Sequence, residues 1–315
     1  MARPLVDGIL VLNKPQGVTS MDMVRMAKRV TRVKRVGHAG TLDPIATGLL
    51  PICFGQATRL MEHLVDGRKV YRAAFTLGAA TDTYDALGEV TNRGDASGVT
   101  REDVEALLPG FTGAITQQPP MYSAVKHEGK RLYDLAREGV EVERPARDVV
   151  VHSIDILGWT APNVELPVVE LEVACGRGFY MRTLAHDLGV ALGCYAHLSA
   201  LTRTSAGPFT LEDAHEPEEL EEAGEKWREL LEPPDAALAR LEAIVMEPAA
   251  ERHLRNGQAV SVPAAGVYAK HLEERRAYSA SGLFLGIVRF SRPDSLWQPE
   301  KVFALSEPSP LAPVS

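Results

Sequence analysis

Residues 37–48 read Gly37-His38-Ala39-Gly40-Thr41-Leu42-Asp43-Pro44-Ile45-Ala46-Thr47-Gly48, and an apolar run from Leu49 to Phe54 follows directly. Three glycines, a proline, a histidine and a single carboxylate make a loop whose backbone allows close approach by a ligand. An Asp-Pro step also opens many ordinary turns. Here, however, Asp43 lies between Leu42 and Ile45 with no acid–base partner near it in sequence. Desolvation raises a carboxylate's pKa unless a cation holds it ionised, so the loop calls for a partner from elsewhere in the chain.

Upstream, residues 5–12 (LVDGILVL) predict a short strand closed by the turn signal from Asn13 to Gly17. Thr19 or Ser20 can cap a helix with Met21, Val24, Ala27 and Val30 on its apolar stripe. Lys28, Arg29, Arg32, Lys34 and Arg35 crowd its C-terminal end, where cations suit the helix dipole. Charge alone leaves open whether this is a solvated end or a phosphate-facing surface.

Downstream, residues 70–77 alternate, with Tyr71, Ala73, Phe75 and Leu77 on one face of a half-buried strand. From that pattern Tyr71 is a core tyrosine, although an aromatic there can also be a stacking platform for a base. Residues 81–85 form a polar turn and residues 101–108 a short helix. Residues 117–123 are extended, a helix covers about 130–138, and residues 168–174 are again an alternating strand. Gly176-Arg177-Gly178 then turns the chain into a helix carrying Met181, Leu184, Leu188 and Ala191. Arg182 falls in its first turn, where a cation is disfavoured by ~0.3–1 kcal/mol and invites a compensating anion. An exposed arginine is the equal alternative.

Composition bounds the rest. A chain of 315 residues suggests two domains. Mean hydropathy is −0.09. With no apolar run near the roughly 18 residues of a membrane span, an integral membrane protein is not expected. The N-terminus lacks an apolar segment followed by a small-residue cleavage site, so secretion is not expected either. Cys53, Cys175 and Cys194 are far apart, which suits a reducing cytoplasm better than a disulfide framework or a zinc knuckle.

The net charge of −8 hides an uneven distribution: residues 1–70 carry eleven Lys/Arg against five Asp/Glu, and residues 212–251 three against fourteen. A phosphate backbone responds to the local patch, so a nucleic-acid partner stays possible. The acidic stretch 212–232 reads as a solvated helix. Beyond Pro233-Pro234 and Pro248, short apolar runs (QAVSV, GVYAK, GLFLGIVRF, KVFAL) suggest a small all-β domain. No dinucleotide, P-loop, zinc-protease or serine-hydrolase motif is present.

The block GHAGTLDPIATGLLPICFGQATRL resembles the catalytic block of the bacterial tRNA pseudouridine-55 synthases, the TruB family. The resemblance continues, in the family's order, through GILVLNKPQGVTS, VYRAAFTLGAATDTYDALG, PPMYSAVKHEGKRLYDLAREGVEV and CGRGFYMRTLAHDLGVALGCYAHLSALTRTSAGPF. Together these cover roughly residues 8 to 215. The tail, with HLRNGQAV and GLFLGIVRF, is similar to the family's small PUA-like domain.

The resemblance implies an α+β fold, a mixed and largely antiparallel sheet flanked by helices, with a small β-rich tail. It implies a catalytic domain over residues 1–240 and a PUA-like RNA-binding domain over 241–315. The implied activity is isomerisation of one T-arm uridine of tRNA, position 55, to pseudouridine on a flipped-out base, without guide RNA, metal or cofactor. Asp43 is then the catalytic carboxylate, Arg182 its cationic partner, and Tyr71 the residue that stacks on the base and can take part in removing the C5 proton. Asp85 joins the arginine's polar network, and Tyr180 and Leu201 line the pocket. His38 fills the space the flipped base leaves. Lys14, Lys126, Lys130, Arg131 and the basic cluster after Val24 contact the RNA. The expected protein is a cytoplasmic monomer that reaches the acceptor stem through its tail. A guide-dependent synthase and an RNA-binding protein with vestigial catalysis are the rival readings.

Overall fold

The alternation of Tyr71, Ala73, Phe75 and Leu77 sets the register of the strand Lys69–Leu77, which occupies the middle of the main sheet. The structure is a computed structural model that describes residues 6–123, 125–127, 129–140, 142–160 and 166–313. From one edge the sheet runs Gly8–Lys14, Ala46–Phe54, Ala196–Ala206, Lys69–Leu77, Val168–Cys175, Arg147–Trp159 and Gly113–Gln117. The short strands Val36–His38 and Phe209–Thr210 attach to it. Every pairing is antiparallel except Ala46–Phe54 with Ala196–Ala206, so the class is α+β with a mixed, largely antiparallel sheet. Two of these strands carry little alternation in sequence. Arg147–Trp159 is largely solvent-facing, and Ala196–Ala206 is rich in small and polar residues.

The first helix is Ser20–Thr31, with Thr19 as N-cap in a reciprocal capping box with Asp22. Its buried face is Met23, Val24 and Ala27, and Met21 is exposed, so the apolar stripe is rotated from the expected one. The helix Met181–Ala191 packs on Ala196–Ala206 and buries Met181, Leu184 and Leu188, while Ala191 is exposed. The acidic stretch is not one helix. It breaks into Pro217–Glu222 and a 3-10 segment Gly224–Leu230, because Leu220 and Trp227 are the side chains it buries. It lies beside the basic helix end, where Arg29 meets Glu221 at 2.6 Å.

A second sheet has four strands, Ala243–Met246, Glu274–Ser279, Phe284–Ser291 and Leu296–Val302. The charged Glu274–Ser279 gives no apolar signal, and GVYAK is not a strand, Pro263–Gly266 being a helical turn. One core fills the space under the main sheet, including Leu12, Val24, Leu50, Phe75, Leu171 and Leu184. Another joins the two sheets, with Ile9, Val11, Leu49 and Leu64 in the same cluster as Tyr278, Phe284, Ile287 and Phe303. Polar contacts reinforce that junction: Arg59 Nη1 donates to Val302 O at 2.6 Å, and Lys301 Nζ donates to Arg59 O at 2.8 Å. No helix among the described residues is long and apolar enough to cross a membrane.

Candidate active site

The loop that carries Asp43 is fixed at both ends. Ser20, the first residue of its helix, accepts from Leu42 N at 2.8 Å and donates to Leu42 O at 3.1 Å. On the other side Ala46 N donates to Asp43 O at 3.0 Å, closing a tight turn between buried Leu42 and Ile45. Gly48 adopts φ +98°, and a Cβ there would lie 2.3 Å from Arg203 O, so both conformation and space demand glycine. The Asp43 side chain keeps 35% of its surface accessible, so it is open to a ligand.

Arg182 reaches this carboxylate from the helix Met181–Ala191. Its Nε lies 2.9 Å from Asp43 Oδ2, and its Nη1 lies 3.8 Å from Asp85 Oδ2. The Asp43 contact is an ion pair rather than an aligned hydrogen bond, Nε being among the buried nitrogens without an acceptor in line. The rest of the guanidinium is tied down by carbonyls: Nη2 donates to Tyr122 O at 2.7 Å and Nη1 to Thr83 O at 3.3 Å. Asp85 is itself buried and held by Thr83 Oγ1 at 2.7 Å and Leu87 N at 3.0 Å. A cation at a helix N-terminus is therefore compensated by two carboxylates. Tyr180, the N-cap residue, is aligned by Gln117, whose Oε1 accepts from Tyr180 N at 2.9 Å and whose Nε2 donates to Tyr180 O at 3.2 Å.

Burial pushes the Asp43 carboxyl above its usual range. Arg182 and Lys14 pull it down, while Asp85 adds to the rise. Tyr71, partly buried on Lys69–Leu77, is likewise raised by burial, with Arg203 opposing. His38, opposite Ile52 in the strand pair, is lowered by burial and by Arg203, which keeps its ring neutral. Its Nδ1 is buried without a partner. Leu201 is buried in the main core at 7% exposure.

Lys14 departs from expectation. It is fully buried, and its Nζ donates to Pro15 O at 2.9 Å and Val18 O at 2.8 Å. Burial lowers its pKa to about 8. The residue pins the turn after the first strand and presents no ammonium to an RNA phosphate. The backbone of Lys126 pairs with Arg131 in a two-residue hairpin, and both side chains lie outside the described residues. Lys130 is exposed, with Glu138 at 3.6 Å. Two shallow depressions, one bounded by Arg101 and Ile156 and the other by Arg240 and Arg275, include none of these residues. Among the described residues, no three His, Cys, Asp or Glu side chains come together as a metal site.

Two buried cations escaped the sequence reading, Lys69 and Arg203. Arg203 had a readable signal: on Ala196–Ala206 it shares a face with the buried Leu201, and a charge on an apolar strand face is unusual.

Residues 28–181 match the model of the TruB family pseudouridylate synthase N-terminal domain, and residues 182–246 match the tRNA pseudouridylate synthase B C-terminal domain. The chain is 43% identical over 300 residues to a "tRNA pseudouridine synthase B" of Dehalococcoides mccartyi, covering 95% of this chain and 97% of the relative. It is 49% identical over 257 residues to a protein of the same name from Symbiobacterium thermophilum, covering 82% and 84%. Among solved structures it is similar to a Cbf5-Nop10-Gar1 complex chain, with TM-score 0.68 at 24% identity over 94% of this chain and 85% of that one. That likeness concerns the fold.

Proposed function

The chain belongs to the TruB family of pseudouridylate synthases, and from that premise we propose a T-arm-specific, guide-independent reaction centred on Asp43. The protein isomerises uridine in tRNA to pseudouridine. The C1′–N1 bond breaks, uracil turns in place, and C1′ joins C5. C5 loses a proton and N1 gains one, so substrate and product have the same atoms.

In this reading the target is the uridine at position 55 of the T arm, extruded from its loop at a cost of a few kcal/mol of unstacking. Asp43 acts at the nucleoside as its ionised form, held by Arg182, with Asp85 fixing the guanidinium from the far side. Tyr71 stacks on the base and takes part in removing the C5 proton. His38, neutral and with a free Nδ1, fills the place the base vacates. Tyr180 and Leu201 line the pocket. The exposed basic end of Ser20–Thr31 and Lys130 meet phosphates. Residues 1–240 form the catalytic domain and 241–315 a PUA-like domain that extends contact toward the acceptor stem. The protein works in the cytoplasm as a monomer.

The observation that carries the proposal is the 2.9 Å contact between an accessible Asp43 and a buried Arg182. The test is pseudouridine mapping of unmodified tRNA treated with the purified protein alone. Conversion of one T-loop uridine is expected. Conversion that appears only with an added guide RNA, or at another position, overturns the proposal.

A further inference from the structure

Arg203 is 1% exposed, among the largest fully buried side chains, and among the described residues no carboxylate lies within ion-pair distance of it. A guanidinium stripped of water and unpaired with an anion is costly unless it is thoroughly hydrogen-bonded. Its hydrogen bonds run to the catalytic loop. Nε donates to Leu49 O at 2.7 Å and Nη2 to Gly40 O at 3.1 Å, so the two carbonyls flank Asp43 in sequence. Gly40 adopts φ +100°, and a Cβ there would sit 3.2 Å from Arg203 Nη1, so the loop closes on this side chain.

Arg203 is also the residue directly opposite Tyr71 in the antiparallel pair and opposite Gly48 in the parallel pair. Opposed residues of antiparallel strands have side chains on one face, close enough to interact. The guanidinium therefore stands between the loop that bears Asp43 and the phenol of Tyr71.

We propose that Arg203 is a positioning residue that clamps the Asp43 loop and presents its charge to the Tyr71 hydroxyl, favouring the phenolate, the form of that side chain able to take up a proton. The proposal rests on the reading above in which Asp43 and Tyr71 act on the nucleoside. Tying two carbonyls needs only a neutral amide, and a buried cation adds an electrostatic contribution that an amide lacks. The ionisable groups around it fit that use. Lys14 from the first strand, His38 from the strand before the loop and Lys69 from the strand of Tyr71 are all disfavoured as cations, first by burial and further by Arg203. Cys175, from the next strand, has its thiol pushed up to about 12 by burial and stays neutral. Burial, Cys175 and Asp43 oppose ionisation of Tyr71, and Arg203 favours it. Tyr71 acts as the phenolate, its hydroxyl proton having passed to water. The C5 proton then leaves carbon for that oxygen, regenerating the phenol, and the electron pair it leaves restores the pyrimidine ring.

The test compares wild type, Arg203→Met and Arg203→Lys in single turnover at saturating tRNA, with protium or deuterium at C5 of the target uridine. Arg203→Met should lower the rate at least a hundredfold, leave tRNA Kd within about threefold, and enlarge the protium-to-deuterium rate ratio. Arg203→Lys should recover a ratio near wild type while remaining slow, because an ammonium cannot span both carbonyls. A destabilised control, Phe75→Leu, should leave the ratio unmoved. An unchanged ratio in Arg203→Met, or a rate loss that tracks only the folded fraction, overturns the proposal. If Arg203→Met does not fold, the Arg203 Nε–H resonance in the wild type, identified by its loss in Arg203→Lys, should shift when Tyr71→Phe is introduced. An unmoved resonance overturns the proposal equally. Asp43→Asn run alongside separates the two layers, since turnover in that variant defeats the catalytic reading itself.

Discussion

Tyr84 lies flat against His186, ring centroids 4.0 Å apart and planes 12° from parallel, one helical turn beyond Arg182. Tyr84 also sits at φ 63°, immediately before Asp85, so the turn that holds the arginine's second carboxylate is stapled to the arginine's own helix. A non-glycine residue in that region carries roughly 1–3 kcal/mol of strain.

Tyr84→Gly should relieve that strain while losing a stack worth about 0.5–1.5 kcal/mol. Its melting temperature should stay within a few degrees of wild type, and turnover should fall about tenfold as Arg182 loosens. Turnover equal to wild type would show that the stack does not position the arginine.

Asp43→Asn should abolish pseudouridine formation and leave tRNA affinity within about tenfold, ~1.4 kcal/mol, in a gel-shift assay. In the wild type the acid limb of kcat/KM should have its midpoint above 3.8, since burial raises Asp43 and the active form is ionised. A midpoint at or below 3.8 would contradict the assigned environment. Arg182→Ala should inactivate and also destabilise by about 3–5 kcal/mol, because Asp43 and Asp85 are left without their shared cation. Urea unfolding reads that cost.

Gly48→Ala should cost more stability than the ~1 kcal/mol typical of a mild backbone change. The residue's φ is +98° and the new methyl meets Arg203 O at 2.3 Å. A melting temperature equal to wild type would mean that the loop can move away from the strand bearing Arg203.

Burial lowers both Lys14 and Lys69 to about 8 from 10.5. Between those pH values the unfolded chain binds more protons than the folded one, so these groups make stability rise with pH across that window. Below pH 8 they are charged in both states and their burial is a full cost. The stability difference between wild type and Lys69→Met should therefore move toward wild type from pH 8 to 10.5. A difference that stays flat with pH would place the Lys69 ammonium in water.

Binding to tRNA should weaken steeply with salt, and Lys34→Gln should reduce the salt slope by about one charge if Lys34 meets a phosphate. Lys34 is exposed at the basic helix end, outside the Arg29–Glu221 contact. An unchanged slope would remove that end from the interface.

The sequence carried the elements with strong periodicity or caps. A cap at Thr19 or Ser20 marked the first helix, and Tyr71 to Leu77 marked the central strand. It also carried the demand of Asp43 for a cation, which Arg182 meets. Other features depended on distance in space. Nothing local to Lys14 indicates that its ammonium turns inward to two loop carbonyls, because that follows from how the first strand enters the sheet. The place of Arg203 on the face of Leu201 hinted at burial, but its partners appear only once its strand is seen between Tyr71 and Gly48. The charged strand Glu274–Ser279 gains its place from its neighbours and not from its own apolarity.

The cluster that packs Ile9 and Val11 against Tyr278, Phe284 and Phe303 has a consequence for measurement at the scale of a whole tRNA. The strand leading into Lys14 and the tail sheet cannot slide past each other without opening that shared interior. The span from the tail surface to the Asp43 carboxylate is thus set by side-chain jigsaw rather than by a tether. On the proposed function, an RNA that touched both ends would be gauged as by a fixed caliper, and a helix one base pair too long or too short would be expected to bring the wrong nucleotide to Asp43.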